Sequence, residues 1–166
     1  MKPLAIAENI YDVGIIDWTT RDFHGYVTPR GVTYNSYLIV DEKICLIDAV
    51  KAPFTDEYIK KISEVVDPAD IDYVIVNHVE PDHSGALPKL AELAPHWPDS
   101  MSTYLKEDQI LFSNDAFGQH YCTSNRFDDQ IDESILFFEA QKYFANILSP
   151  YAKLVEKALQ KIEGLP

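Results

Sequence analysis

The sequence has little cysteine and little positive charge, and each shortage excludes a class of function. The two cysteines, Cys45 and Cys122, are too few for a disulfide framework and do not have the spacing of a thiolate metal site. Lysine and arginine number 14 against 27 aspartate and glutamate residues, which gives a net charge of −13. Proteins that bind DNA or RNA need clustered basic residues against phosphate. The charge balance therefore argues against a nucleic-acid partner.

Long apolar runs are missing as well. No segment approaches the length of a membrane span, so no membrane partner is expected. The first residues lack the extended apolar core of a secretory signal, which favours a cytoplasmic location. A chain of 166 residues that is 46% hydrophobic is large enough to bury a core. We therefore predict one domain over residues 1–166.

The remaining sequence alternates between strand and helix patterns. Apolar, β-branched segments predict a hairpin over 32–50, a short strand buried on both faces over 72–77, and a second hairpin over 99–115. Helical spacing predicts a helix over 53–66 with Thr55 as its N-cap, another over 84–95, and helices from Asp132 to the end. This order favours an α/β (α+β) sandwich in which helices cover the faces of the sheet.

The densest group of chemically active side chains directly follows the strand predicted at 72–77. It reads His78, Glu80, Asp82, His83. Side chains at i and i+2 of an extended segment point the same way, so His78 and Glu80 can face one point. Pro81 then turns the chain and lets Asp82 and His83 face a neighbouring point. Two imidazoles and two carboxylates in this alternation suit a pair of metal ions better than one ion or a polar surface loop.

Further candidate residues lie elsewhere in the chain. His96 stands beside Trp97 in the proline-flanked stretch HWP. Asp115 ends an apolar strand, where a carboxylate serves equally well as a bridging metal ligand or as a helix N-cap. His120 is expected either at the surface or beside the metal ligands. His24 is expected either near the site or in a hydrogen-bonded structural role.

Several blocks of the sequence resemble the flavodiiron proteins, also called A-type flavoproteins. The blocks are VTYNSYLIV, ICLIDAV, NHVEPDHSGALP, HWPDSM, ILFSNDAFGQH and YFANILSPY. The resemblance implies a metallo-β-lactamase-like αββα sandwich that carries a non-haem diiron site. In the family, a flavodoxin-like domain with FMN follows, and the proteins reduce O2 to water, NO to N2O, or both.

The resemblance also implies a role for each candidate ligand. His78, Glu80 and His96 would bind one iron, Asp82 and His83 the other, and Asp115 would bridge the two. Hydrolases of the wider superfamily usually have histidine where Glu80 stands. Glutamate favours iron and redox chemistry over zinc hydrolysis, since carboxylates prefer harder ions.

The sequence departs from the family pattern in three places. The segment expected between Pro95 and His96 is missing, the chain ends before the last histidine ligand of the family, and no flavodoxin-like domain follows. We therefore expect two iron ions, with FMN reached only through a missing domain or a partner, and O2 or NO as the substrate. The expected partners are an electron-donor flavoprotein or a rubredoxin-like protein and a second copy of the chain. A metallo-β-lactamase-superfamily hydrolase and a non-catalytic fragment that binds metal or O2 are the alternatives.

Overall fold

A computed structural model describes residues 2–91 and 103–165. The chain divides into two compact units, each built from separate stretches. The first unit comprises Met1–Ile15 and Tyr34–Phe112, and the second comprises Ile16–Thr33 and Ser113–Pro166. This division into units does not test the expectation of a single domain over residues 1–166, which stays a prediction.

The described residues form short strands and five α-helices. In chain order the strands are β1 (Leu4–Ala7), β2 (Ile10–Asp12), β3 (Ile15–Asp17), β4 (Asp22–Phe23), β5 (Tyr26–Val27), β6 (Val32–Tyr34), β7 (Tyr37–Val40), β8 (Ile44–Ile47), β9 (Tyr73–Ile75), β10 (Thr103–Leu105) and β11 (Ile110–Phe112). The helices are α1 (Thr55–Ser63), α2 (Pro81–Ser84), α3 (Leu87–Ala91), α4 (Glu133–Tyr143) and α5 (Ala152–Ile162).

The main sheet of the first unit has the strand order β1-β2-β7-β8-β9. Strands β7 and β8 pair antiparallel, as the predicted hairpin requires. Strands β8 and β9 pair parallel, with Ile47 opposite Ile75. A parallel pair needs a crossover connection, which α1 supplies here. Because parallel strands end at the same edge, the residues that follow β8 and β9 are brought together.

The core of the first unit lies against this sheet. Ile10, Ile47 and Phe112 are buried in contact with one another, and the ring centroids of Tyr37 and Phe112 lie 4.9 Å apart. Phe112 belongs to the hairpin of β10 and β11, which was also predicted from the sequence. Burying such side chains contributes about 1.5–3 kcal/mol each. The apolar residues of β9 were predicted to be buried on both faces, but this is wrong for Tyr73, which is 51% exposed.

Helix α1 starts differently from the prediction. Thr55 is its first residue rather than its N-cap, because a 3-10 turn over Ala52–Phe54 runs directly into the helix. The hydroxyl of Thr55 donates to the carbonyl oxygen of Ala52 at 2.7 Å instead of accepting from the helix. The buried ammonium of Lys61 donates to the carbonyl of Gly14 at 2.6 Å and so ties α1 to the residues after β2.

The second unit contains the hairpin of β4 and β5 and the helices α4 and α5. Asp132 caps α4, since its carboxylate accepts hydrogen bonds from the backbone nitrogens of Ser134 and Ile135. The helices predicted from Asp132 onward are therefore confirmed. A π-helical turn over Phe144–Leu148 and a 3-10 turn containing Pro150 separate α4 from α5. The predicted α+β class is confirmed by the mixed sheet and these helices. Among the described residues, no helix has the length and apolar character to cross a membrane.

Candidate metal centre

The loop that leaves β9 carries the acidic and imidazole side chains singled out in the sequence. Asn77 is fully buried, His78 is partly exposed, and Glu80 lies at the surface. Pro81 begins α2, which turns the chain inward, so that Asp82 and His83 are both only 6% exposed. The proline suits this place because the first position of a helix needs no backbone N–H.

The four candidate side chains form two neighbouring pairs. The Nε2 atom of His78 lies 3.5 Å from Oε1 of Glu80, and Nε2 of His83 lies 3.7 Å from Oδ2 of Asp82. The ring centroids of the two histidines are 5.5 Å apart. The first unit therefore brings together His78, Glu80, Asp82 and His83 in the pairing expected from the i, i+2 alternation and the turn at Pro81.

A carboxylate that was not assigned a role in the sequence lies behind this loop. Asp48, directly after β8, is 4% exposed and has a positive φ of 55°. Its Oδ1 accepts hydrogen bonds from the backbone nitrogens of Asn77 at 2.7 Å and His78 at 3.4 Å. Its Oδ2 accepts from the side-chain nitrogen of Asn77 at 3.3 Å and lies 3.7 Å from Nδ1 of His83. Asp115 was singled out as an acidic residue at the end of a buried strand. The same signal would have identified Asp48.

The donor set of the loop fits a pair of hard or borderline metal ions. Buried charged groups are costly unless an opposite charge or a metal offsets them, and Asp82 and His83 are both buried. Imidazole nitrogen and carboxylate oxygen are ligands for iron, zinc and manganese. Burial raises the pKa of both Cys45 and Cys122 to about 11, so neither thiol offers a thiolate near neutral pH.

Asp115, His24 and His120 lie in the second unit. Asp115 follows β11 within a 3-10 turn over Asn114–Phe117. Nε2 of His120 and Nδ1 of His24 are 3.2 Å apart, and the ring of Phe23 packs on both histidines. His120 is 7% exposed, so the surface position considered for it is wrong. His24 lies within hydrogen-bond distance of His120, and the choice between a structural role and a place near the site stays a prediction.

The surroundings of His120 keep its imidazole neutral. Burial, and then the neighbouring His24, lower the pKa of His120 to about 4, although the charge of Asp115 opposes the shift. His96, the remaining candidate ligand, lies outside the described residues. Among the candidate ligands that the structure describes, four therefore lie in one loop of the first unit and Asp115 lies in the second.

Comparison with known families identifies relatives of this chain. A family model described as "ODP family beta lactamase" matches residues 32–96. The chain is 41% identical to a nitric oxide reductase of Moorella thermoacetica, with 99% of this chain and 54% of the relative covered. It is 39% identical to an anaerobic nitric oxide reductase flavorubredoxin homolog of Escherichia coli O157:H7, with 97% and 52% covered. The chain thus spans about half the length of the curated relatives it matches.

Solved structures with the same fold agree with these relatives. Rubredoxin oxygen:oxidoreductase of Desulfovibrio gigas superposes with a TM-score of 0.93 at 35% identity, covering 98% of this chain and 53% of that one. The flavodiiron protein of Giardia intestinalis gives 0.87 at 33% identity, covering 99% and 52%. The predicted metallo-β-lactamase-like fold is confirmed by these similarities. The Moorella alignment runs over 215 residues against 166 here, so the relative has tens of positions without a counterpart, in agreement with the predicted internal shortening.

Proposed function

The chain belongs to the flavodiiron protein family, whose metallo-β-lactamase-like domain it supplies, and from this premise we propose that it is the diiron core of a reductase of O2, NO or both. The observation that carries the proposal is the pairing of His78 with Glu80 and of His83 with Asp82 in one loop. Relatives named as nitric oxide reductases and as a rubredoxin oxygen:oxidoreductase support the substrate class.

The proposed ligands follow the family pattern. His78, Glu80 and His96 would hold one iron, Asp82 and His83 would hold the second, and the family pattern makes Asp115 a ligand of both. The two pairs in the first unit support the division between His78 with Glu80 and Asp82 with His83. The roles of His96 and Asp115 rest on the family resemblance.

The protein residues provide binding, orientation and proton control. Bound iron would supply the electrons and the open coordination positions for a diatomic substrate. Asp82 and His83 lie in a buried environment that excludes water, whereas the more exposed His78 and Glu80 leave one side of the loop accessible. Glu80 contributes an anionic oxygen ligand at this accessible side, which favours iron over zinc.

An external donor completes the electron requirement. Reduction of one O2 to two water molecules takes four electrons, and two ferrous ions hold two of them. We propose that the rest come through FMN on a flavodoxin-like domain or a partner protein, with a flavoprotein or a rubredoxin-like protein as the electron donor. Oxygen consumption by the iron-loaded chain should depend on the concentration of added reduced flavoprotein. Multi-turnover consumption with NADH and iron but no flavin-bearing protein would contradict this part of the proposal.

The central test is metal stoichiometry after anaerobic loading with ferrous iron. The wild-type chain should bind iron, and the double variant His78→Ala, Asp82→Ala should lose most of it, because one ligand is removed from each pair. Asp41→Ala is the matched control, since this exposed carboxylate lies in the β7–β8 turn. Unchanged iron content in the double variant would refute the site. Hydrolysis of a chromogenic β-lactam by the zinc-loaded chain would favour the hydrolase alternative instead.

We also propose that the chain self-associates and works in the cytoplasm. The side chains of Phe137 and Phe138 on α4 are 60% and 58% exposed, and this exposed aromatic surface supports self-association. Sedimentation at micromolar concentration should show at least a dimer. A Phe137→Ser, Phe138→Ser variant should shift it toward monomer, whereas a monomeric wild-type chain would contradict the proposal.

A further inference from the structure

The residues that follow β8 contact the loop containing the candidate ligands at several points. Asp48 binds the backbone nitrogens of Asn77 and His78 through Oδ1. The backbone nitrogen of Ala49 donates to the carbonyl oxygen of His83 at 2.8 Å, and Val50 accepts from the backbone nitrogen of Ala86 at 2.8 Å. Three consecutive residues therefore hold the loop on both sides of its ligands.

Asp48 itself is held in an unusual backbone conformation. Its φ of 55° lies in the left-handed region, which costs energy for a residue with a β-carbon and persists where surrounding contacts enforce it. Its carbonyl oxygen lies 3.0 Å from the Ser36 hydroxyl and 3.2 Å from the Tyr58 hydroxyl, which are 2.6 Å from each other. Burial raises the pKa of Tyr58, so this phenol remains protonated.

The backbone anchoring directs the Asp48 carboxylate toward His83. Asn77 fixes one side of Oδ2 through its amide nitrogen, while its own amide oxygen accepts from the Thr103 hydroxyl at 3.0 Å. Oδ2 also lies 3.7 Å from Nδ1 of His83, which is just beyond hydrogen-bond distance, and Nε2 of the same ring lies 3.7 Å from Asp82. The nitrogen nearest Asp48 is thus the one that does not face the other proposed ligand of the same iron.

We propose that Asp48 is a positioning residue that holds His83 in the Nδ1–H tautomer and so leaves its Nε2 lone pair to the metal. This inference rests on the proposed function for the metal, but the tautomer is a property of the metal-free chain. Metal-bound histidines generally donate their second ring N–H to a carboxylate, a carbonyl or water, and removal of such a partner weakens metal binding by about 10- to 100-fold.

The first experiment needs neither metal nor variant. Long-range ¹H–¹⁵N correlation spectra of the metal-free wild-type chain distinguish the two imidazole tautomers. His83 should be found with its proton on Nδ1. A proton on Nε2 of His83 in the neutral imidazole would overturn the inference, whether or not the chain binds metal.

The second experiment measures Co²⁺ binding by anaerobic absorption titration against a competing chelator. Asp48→Asn should weaken the affinity for Co²⁺ by about 10- to 100-fold and change the ligand-field spectrum, because the asparagine amide does not replace the carboxylate acceptor. Asp72→Asn is the matched control, since Asp72 also accepts from a backbone nitrogen, that of Ile44 at 2.9 Å, but at the opposite end of the β8–β9 pair from the candidate ligands. It should lower thermal stability with the Co²⁺ affinity unchanged.

The outcomes separate the two proposals. If the wild-type chain binds no Co²⁺ or Fe²⁺, the proposed function fails, and the tautomer measurement still decides the role of Asp48. If the wild-type chain binds Co²⁺ and Asp48→Asn binds it equally well, Asp48 supports only the fold and the inference is refuted. Should Asp48→Asn not fold, the wild-type tautomer remains the deciding result.

Discussion

Gly85 lies so close to Ala52 that a β-carbon on Gly85 would be 2.5 Å from the Ala52 backbone nitrogen. The same β-carbon would lie 2.5 Å from the carbonyl oxygen of Pro81. Both neighbours are backbone atoms and do not move aside as a side chain does. We expect Gly85→Ala to lower the free energy of unfolding by about 1–3 kcal/mol, measured by urea denaturation, because overpacking forces the backbone to shift.

The matched control for this glycine is Gly25. Its φ is +77°, and a β-carbon there would meet no atom within 4 Å. Asparagine tolerates the left-handed region better than other residues with a β-carbon, so Gly25→Asn should change stability little. Equal destabilisation by the two variants would show that loss of glycine flexibility, rather than the contact with Ala52, is responsible.

Protonation of His120 should make stability depend on pH. Its pKa is about 4 in the folded chain and 6.5 in the unfolded chain, so the unfolded chain binds more protons between these values. The contribution of neutral His120 to the free energy of unfolding is complete above pH 6.5 and is lost as the pH falls toward 4. Replacement by glutamine should reduce the slope of unfolding free energy against pH in this window, by at most about 1.4 kcal/mol per pH unit. Identical slopes in wild type and His120→Gln would contradict the assignment.

The N-cap of α4 provides a second pH-dependent contribution. The Ser134 hydroxyl and then the backbone nitrogens of Ile135 and Ser134 hold the pKa of Asp132 below its usual value. Its stabilisation is present above the unfolded value of 3.8 and is lost as the pH falls through the lowered folded value. Asp132→Ala should accelerate amide hydrogen exchange in the first turn of α4. Asp132→Asn should keep most of the protection and lose the pH dependence, because asparagine caps without titrating.

Glu139 joins two cations from a fully buried position. Its Oε1 atom accepts from Arg30 at 2.7 Å, and its Oε2 atom lies 2.5 Å from Nζ of Lys142. Glu139→Gln should cost about 2 kcal/mol in urea denaturation, because the hydrogen bond from Arg30 loses its charged acceptor and the ion pair with Lys142 is lost, while both cations keep their places. Glu156→Gln, on the exposed side of α5, should be close to neutral. Equal stability of both variants would refute the role of Glu139.

The sequence correctly predicted the elements whose residues follow a simple local pattern along the chain. The apolar, β-branched composition of two neighbouring segments was enough to predict the pairing of β7 with β8, and the i, i+2 spacing was enough to pair His78 with Glu80. The start of α1 was predicted wrongly, because a hydroxyl at Thr55 looks like a cap whether or not a 3-10 turn precedes it.

Contacts between residues that lie far apart in the sequence could not be predicted from such patterns. Asp48 and Asn77 are in contact because β8 and β9 pair in parallel, and no periodicity in the sequence predicts that pairing. The burial of His120 likewise depends on Phe23 and His24, which come from the other end of the sequence. The sequence alone therefore identified candidate ligands but not the residues that orient them.

Almost all residues that anchor the loop with the candidate ligands lie in one continuous stretch of the sequence. The hydrogen bonds described for it come from the stretch between Ser36 and Ala86, and Thr103 adds one from further along. A scaffold of this kind can be cut or extended elsewhere without disturbing the loop that carries His78, Glu80, Asp82 and His83. Chains of quite different length can therefore keep the same loop conformation, and the stretch is a natural unit to transplant into a designed host protein.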